Sequence, residues 1–148
     1  MTPEIHIVPE PVRLTPTDAT FTLTSRSVIV AAGDAADAAQ LLASYLRPAT
    51  GYALPVLGTR PMDAPSIRLL IDPQLTLGEE GYRLVAATDG VTLGSATLTG
   101  LLRGVQTVRQ LLPAEIFQST VASGLEWSLP GVEIEDYPRF PWRGAMLD

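Results

Sequence analysis

The chain has 148 residues, 46% of them hydrophobic, which is enough for one domain with a real core and short for two ordinary ones. The formal net charge is −6, and the ten basic residues, all arginine, form no cluster, which argues against a nucleic-acid partner. Absence of cysteine excludes disulfides and thiolate metal sites, and no apolar run reaches membrane-spanning length.

The N-terminus, MTPEIHIVPEPVRL, has neither the basic nor the apolar region of a signal peptide, which fits a cytoplasmic chain or a trimmed secreted one. Residues Glu4 to Leu14 read as an extended entry segment that Pro9 and Pro11 would confine to a sheet edge. His6 is the single histidine and has no second ligand beside it, so it reads as a solvated side chain. Short strands are expected at Phe21 to Leu23 and Val28 to Ala31, with Ser25-Arg26 in the turn between them.

Gly33-Asp34 opens a first helix, with Asp34 as N-cap and Asp37 at the positive end of the helix dipole. Ala35, Ala38, Ala39, Leu42, Tyr45 and Leu46 form its apolar stripe. Pro48 disfavours helical geometry at the residue before it, so this helix is expected over Asp34–Arg47. A short strand at Leu54 to Leu57 and a buried one at Ile67 to Ile71 follow, making a strand–helix–strand crossover.

From Glu80 to Pro113 the sequence reads as a hairpin feeding a long helix. Tyr82, Leu84 and Ala86 alternate with Arg83 and Val85, Asp89-Gly90 supplies a turn, and Val91 and Leu93 begin the return strand. Ser95 or Thr97 can cap a helix over Leu98–Leu112, whose stripe is Leu98, Leu101, Leu102, Val105, Val108 and Leu112. Arg109 projects into that stripe and needs to snorkel or find a partner. Gly100 and Gly104, one turn apart, point to close packing against a neighbouring element. With Leu111 they form a flank distinct from the stripe, where small residues would let another backbone approach closely, as on a surface meant to be covered. The stretch from Ala114 to Leu129 is weakly patterned, with one strand expected around Gln118 to Ala122 and another at Val132 to Glu135. Glu133, Glu135 and Asp136 could suggest a carboxylate pair for acid–base work, but nothing nearby would separate their pKa values. A solvent-facing strand side running into a turn accounts for all three. The residues show no phosphate loop, nucleophile arrangement or zinc motif, and no cofactor is expected.

Two motifs carry a resemblance. The run EGYRL, DGVTL, GLLRGVQTVRQLLP is similar to the N-terminal accessory domain of family 20 glycoside hydrolases, the β-N-acetylhexosaminidases, with Val108 where leucine is usual. The final IEDYPRFPWRGAMLD resembles the entry to that family's catalytic (β/α)8 barrel, with Asp136, Pro138, Arg139, Phe140, Trp142, Arg143, Gly144, Leu147 and Asp148 matching. The resemblance implies an accessory domain over 1–136 and the truncated start of the barrel over 137–148. It implies that the parent is bacterial and releases terminal GlcNAc or GalNAc, with the substrate's own N-acetyl group attacking the anomeric carbon. Arg143 would bind sugar hydroxyls there, a task suited to a planar fork of donors. The family's Asp-Glu pair has no counterpart in this chain, so the isolated chain is expected to be inactive. The barrel of the same protein is the expected partner, with no membrane or nucleic acid involved. A free-standing carbohydrate-binding or protein-interaction module is the alternative, weakened by only two Trp. The expected fold is an α/β, α+β-type two-layer sandwich, with both helices on one face of a mixed, mostly antiparallel sheet. The apolar segment from Phe140 would lack neighbours in the isolated chain and is expected to be mobile or to dock on a second copy as a dimer.

Overall fold

The computed structural model describes residues 5, 7, 11–61 and 63–137. Seven strands, β1 (Arg13–Leu23), β2 (Val28–Val30), β3 (Val56–Leu57), β4 (Ser66–Ile71), β5 (Tyr82–Ala87), β6 (Gly90–Ser95) and β7 (Trp127–Asp136), form one sheet in the order β1-β7-β5-β6-β4-β2-β3. Pairings from β1 through β7 and β5 to β6 are antiparallel, and those from β6 through β4 and β2 to β3 are parallel. The two longest strands, β1 and β7, lie in the antiparallel half. The parallel half follows from the strand–helix–strand crossover, since a helical connection returns the chain to the same end of the sheet.

Helices α1 (Ala35–Thr50) and α2 (Leu98–Leu111) pack side by side on one face of this sheet. Alternation on the strands decides which residues meet them. Tyr82, Leu84 and Ala86 of β5, Val91 and Leu93 of β6, Ile67 and Leu69 of β4, and Val132 and Ile134 of β7 are buried. Arg83, Thr92, Arg68 and Glu133, one position out of phase, are exposed on the other face. The result is the expected two-layer α+β sandwich, with its core between sheet and helices and the second sheet face open.

Several local expectations need correction. Helix α1 runs through Pro48 to Thr50, where an end near Arg47 was expected. The missing proline N–H falls in the last turn, and other groups hold the end together. The Thr50 hydroxyl donates to Leu46 O at 2.7 Å, Arg47 donates to Ala53 O and Leu54 O, and Gly51 closes the helix in the left-handed region at φ 72°. Asp34 makes no side-chain cap bond. The hairpin turns through Thr88 and Asp89, and Gly90 is already paired with Ala87. Gly90 is required by proximity, since a Cβ there would lie 2.9 Å from Ser66 O of β4. The segment 118–122 forms no strand. A 3-10 turn, Ala114–Phe117, precedes it, and the segment is tied down by the Ala122 N–H bonding Ala49 O. Strand β7 begins well before Val132, passing through Pro130, where β5 no longer pairs and β1 carries a bulge between Pro16 and Thr20.

The largest correction concerns the glycines of α2. A Cβ on Gly100 would lie 2.1 Å from Ser95 Oγ and 2.2 Å from Gly81 O, and one on Gly104 would lie 2.3 Å from Leu93 Cδ1. The glycine flank therefore faces this domain's own sheet and is buried, together with Leu111. It is not the surface left for another domain. The outward side of α2 carries half-buried Leu98 and Leu102, with Gln106 and Arg109.

Candidate functional site

Polar side chains converge at one place beneath the helices, the end of β7. Strand pairing sets Asp136 opposite Tyr82 of β5, and alternation turns Asp136 towards α2 while Glu133 and Glu135 turn to the open face. Asp136 is only 6% exposed. Its Oδ1 accepts the backbone N–H of Val12 at 3.2 Å, and its Oδ2 lies 3.5 Å from Arg103 Nη2. Arg103 Nη1 in turn donates to Glu80 O at 2.8 Å. One carboxylate thus ties the entry segment, α2 and the loop before β5 to the end of β7. Taking either member of such a buried ion pair away strands the other, at a cost of about 3–5 kcal/mol when burial is complete.

Beside this pair, the Tyr82 hydroxyl is hydrogen-bonded to Thr107 of α2. Burial pushes the Tyr82 phenol up to about 12, with the Asp136 charge adding to the shift and Arg103 opposing it. A cavity of about 370 Å³ opens here, lined by Ile7, Tyr82, Arg103, Gln106, Thr107, Gln110 and Asp136. Its one carboxylate is engaged by a cation and a backbone amide, and its phenol stays neutral at physiological pH. Among the described residues, the cavity lining therefore offers no acid–base couple.

The open face carries the other carboxylates. Glu133 and Glu135 lie 3.8 and 3.7 Å from Arg83, and Arg13 lies 3.6 Å from Glu135. The reading of these two as a solvated strand side holds. For Asp136 it fails, because one step along the strand reverses the face and buries the side chain. The signal that could have found it was the inward phase of Val132 and Ile134, which Asp136 continues.

Arg109 finds its place between aromatic rings. Its guanidinium lies 3.8 Å from the Tyr45 ring centre and 4.6 Å from that of Phe117, and it donates to Gln106 Oε1 at 2.9 Å. Among the described residues no three His, Cys, Asp or Glu side chains converge to hold a metal, and no helix is long and apolar enough to cross a membrane. His6 and Arg143 lie outside the described residues, as does the barrel-entry motif after Tyr137.

With this geometry in view, the comparisons with known proteins are specific. The family model described as "Glycosyl hydrolase family 20, domain 2" matches residues 4–137. A beta-hexosaminidase of Porphyromonas gingivalis is 38% identical over 97% of this chain, which spans 18% of that protein. A beta-N-acetylhexosaminidase of Cellulomonas fimi is 31% identical over 99% of the chain, which spans 29% of it. Among solved structures, the GH20 beta-N-acetylhexosaminidase of Streptomyces coelicolor A3(2) superposes with a TM-score of 0.81 at 39% identity, over 90% of this chain and 26% of that one. The chain thus spans less than a third of the length of these relatives.

Proposed function

Because the chain belongs to glycoside hydrolase family 20, as an accessory domain of β-hexosaminidases, we propose that residues 1–136 are the non-catalytic domain of a longer β-N-acetylhexosaminidase and that 137–148 begin its catalytic barrel. The observation that carries this is the match to domain 2 of the family, ending at residue 137, in a chain that spans less than a third of the length of its relatives. The longer protein would release terminal N-acetyl-hexosamine by the substrate-assisted retaining route, the acetamido group of the sugar acting as nucleophile. The accessory domain would support the barrel and take no part in bond cleavage. The module alternative gains nothing from Trp127, which is buried and cannot serve as a sugar platform.

The direct test compares the isolated chain with the longer protein on an aryl N-acetyl-glucosaminide. The longer protein should hydrolyse it and the isolated chain should not. Activity of the isolated chain that survives further purification would overturn the reading. Within the longer protein, Arg143 would bind the sugar hydroxyls through charge-assisted hydrogen bonds of about 1.5–3 kcal/mol each. Arg143→Ala should therefore lower kcat/KM by about ten- to more than a hundred-fold. A variant with wild-type kcat/KM would rule that role out.

A further inference from the structure

Arg109, in the last turn of α2, has less around it than a partly buried cation needs. Tyr45 and Phe117 hold its guanidinium by their rings, with centres at 3.8 and 4.6 Å. A ring face attracts the charge but offers no lone pair to the N–H groups. Gln106 Oε1 accepts from Nη1 at 2.9 Å, whereas Nε is buried with no hydrogen-bond partner among the described residues. None of the ion pairs among the described residues includes Arg109, and α2 itself carries no acidic residue. Leaving such a group uncompensated is costly, and an apolar side chain would continue the helix stripe without that cost.

The cover beside it is also unfinished. Phe117 is 54% exposed and Val121, four residues later, 59% exposed. Neither is on a frayed end, since the 3-10 turn Ala114–Phe117 precedes the segment and the Ala122 N–H bonds Ala49 O at 2.8 Å after it. A fixed arginine beside exposed apolar groups has the make-up of an interface centre, where such an anchor meets a matching group as water is excluded. The open sheet face makes no such demand around Arg13 and Arg83, which Glu133 and Glu135 compensate. This chain spans only 18% and 29% of two of its relatives, so the bulk of a longer protein lies outside it and can supply the occupant.

We propose that Arg109 is a docking cation: flanked by Tyr45, Phe117 and Val121, it receives an aspartate or glutamate from the part of the longer protein that lies outside this chain. The carboxylate supplies charge and lone pairs together, and the surface that carries it covers Phe117. This rests on the reading of the chain as part of a longer hexosaminidase.

The test takes two footprints of the longer protein by mass spectrometry. Hydroxyl-radical oxidation of Phe117 should be about fivefold slower or more than in the 148-residue chain. Equal rates at Phe117, or protection of Val85 on the open sheet face with Phe117 still open, would overturn the proposal. Carbodiimide coupling of glycine ethyl ester reports the carboxylates. Arg109→Met keeps a long side chain against the two rings and removes the charge. In that variant an Asp or Glu outside residues 1–148 should gain label about fivefold or more over wild type. No gain, or a gain only at acids within residues 1–148, would overturn the proposal. Should Arg109→Met lose its fold, seen as label rising at carboxylates throughout, Arg109→Gln is read in its place with the same expected outcomes. Should the 148-residue chain fail to fold, Arg109→Glu in the longer protein serves as the reference, since like charge would expel the carboxylate and free Phe117. A wild-type protein inactive on an aryl N-acetyl-glucosaminide would sink the hexosaminidase reading along with this inference. An active wild type with Phe117 open, or with no outside carboxylate gaining label, would sink the inference alone.

Discussion

Tyr82 concentrates the residue-scale physics. It is 2% exposed, sits between sheet and α2, and shares its hydroxyl with Thr107. The folded state holds it neutral up to about pH 12, whereas in the unfolded chain it ionises near its ordinary value of 10.0. A folded pKa raised above the unfolded one gives stability that is complete below the lower value and is lost as pH rises through the higher. Folding stability should therefore fall between about pH 10 and 12, by up to about 2–3 kcal/mol from this group. Tyr82→Phe should start lower, with Thr107 left unpaired, but lose less across that window. Denaturant unfolding at stepped pH measures both, and parallel pH dependence in the two proteins would show that Tyr82 is not responsible. Arg109 is the complementary case. The sequence shows that a cation in an apolar stripe needs a partner, but the rings that supply it, Tyr45 and Phe117, come from α1 and the 3-10 turn. Their convergence depends on tertiary packing.

At the scale of elements, α2 is held by what it lacks. Gly100 lets the helix approach Gly81 O, and the Ser95 hydroxyl donates to that same carbonyl at 2.6 Å. Thr97 caps the helix, accepting the N–H of Gly100 at 3.1 Å, while its own hydroxyl donates to Glu79 O. Gly100→Ala would gain about 1 kcal/mol of helix propensity. It would also drive a methyl into a backbone carbonyl that cannot rotate away, an overpacking cost of about 1–3 kcal/mol or more. The net effect should be destabilising by about 1–2 kcal/mol, read as a lower denaturation midpoint at unchanged m-value. An unchanged or raised midpoint would mean that the loop before β5 yields easily. The same element shows what was legible in advance. Sequence pattern located α2, the hairpin and the buried strand β4, because all three depend on near neighbours in sequence. It could not say what the glycines face, since Leu93 and Gly81 are brought to α2 only by the sheet. Nor could it foresee that α1 passes Pro48, because the groups that secure its end are a side chain, Arg47, reaching forward to Ala53 and Leu54. Strand β7 was legible only over its alternating end. Its start at Trp127 depends on pairing with Leu23 of β1, more than a hundred residues earlier. For the candidate site, composition identified the carboxylates, but only strand phase separates Asp136 from Glu133 and Glu135.

For the whole molecule, the two faces differ in what they ask of their surroundings. The open sheet face closes its charges on itself through Arg13, Arg83, Glu133 and Glu135, and suits water. The outer side of the helix layer carries half-buried Leu98, Leu102 and Tyr45, and Phe117, beside Arg109, is 54% exposed. The sequence that follows Tyr137 adds the apolar residues Phe140, Trp142, Met146 and Leu147. Exposed apolar surface favours association, and an apolar segment adds to it wherever it lacks neighbours. Prepared alone, the chain should therefore form dimers at high concentration, or else remain monomeric with rapidly exchanging amides from about residue 140 onward. Light scattering across a concentration series, combined with amide hydrogen exchange, separates these outcomes. In a dimer, protection after residue 140 should rise with concentration, because the partner copy supplies it. A chain that stays monomeric at every concentration with strongly protected amides at residues 142–147 would contradict the prediction. The domain would then bury that segment unaided, and the boundary proposed at residue 137 would have to move towards the C-terminus.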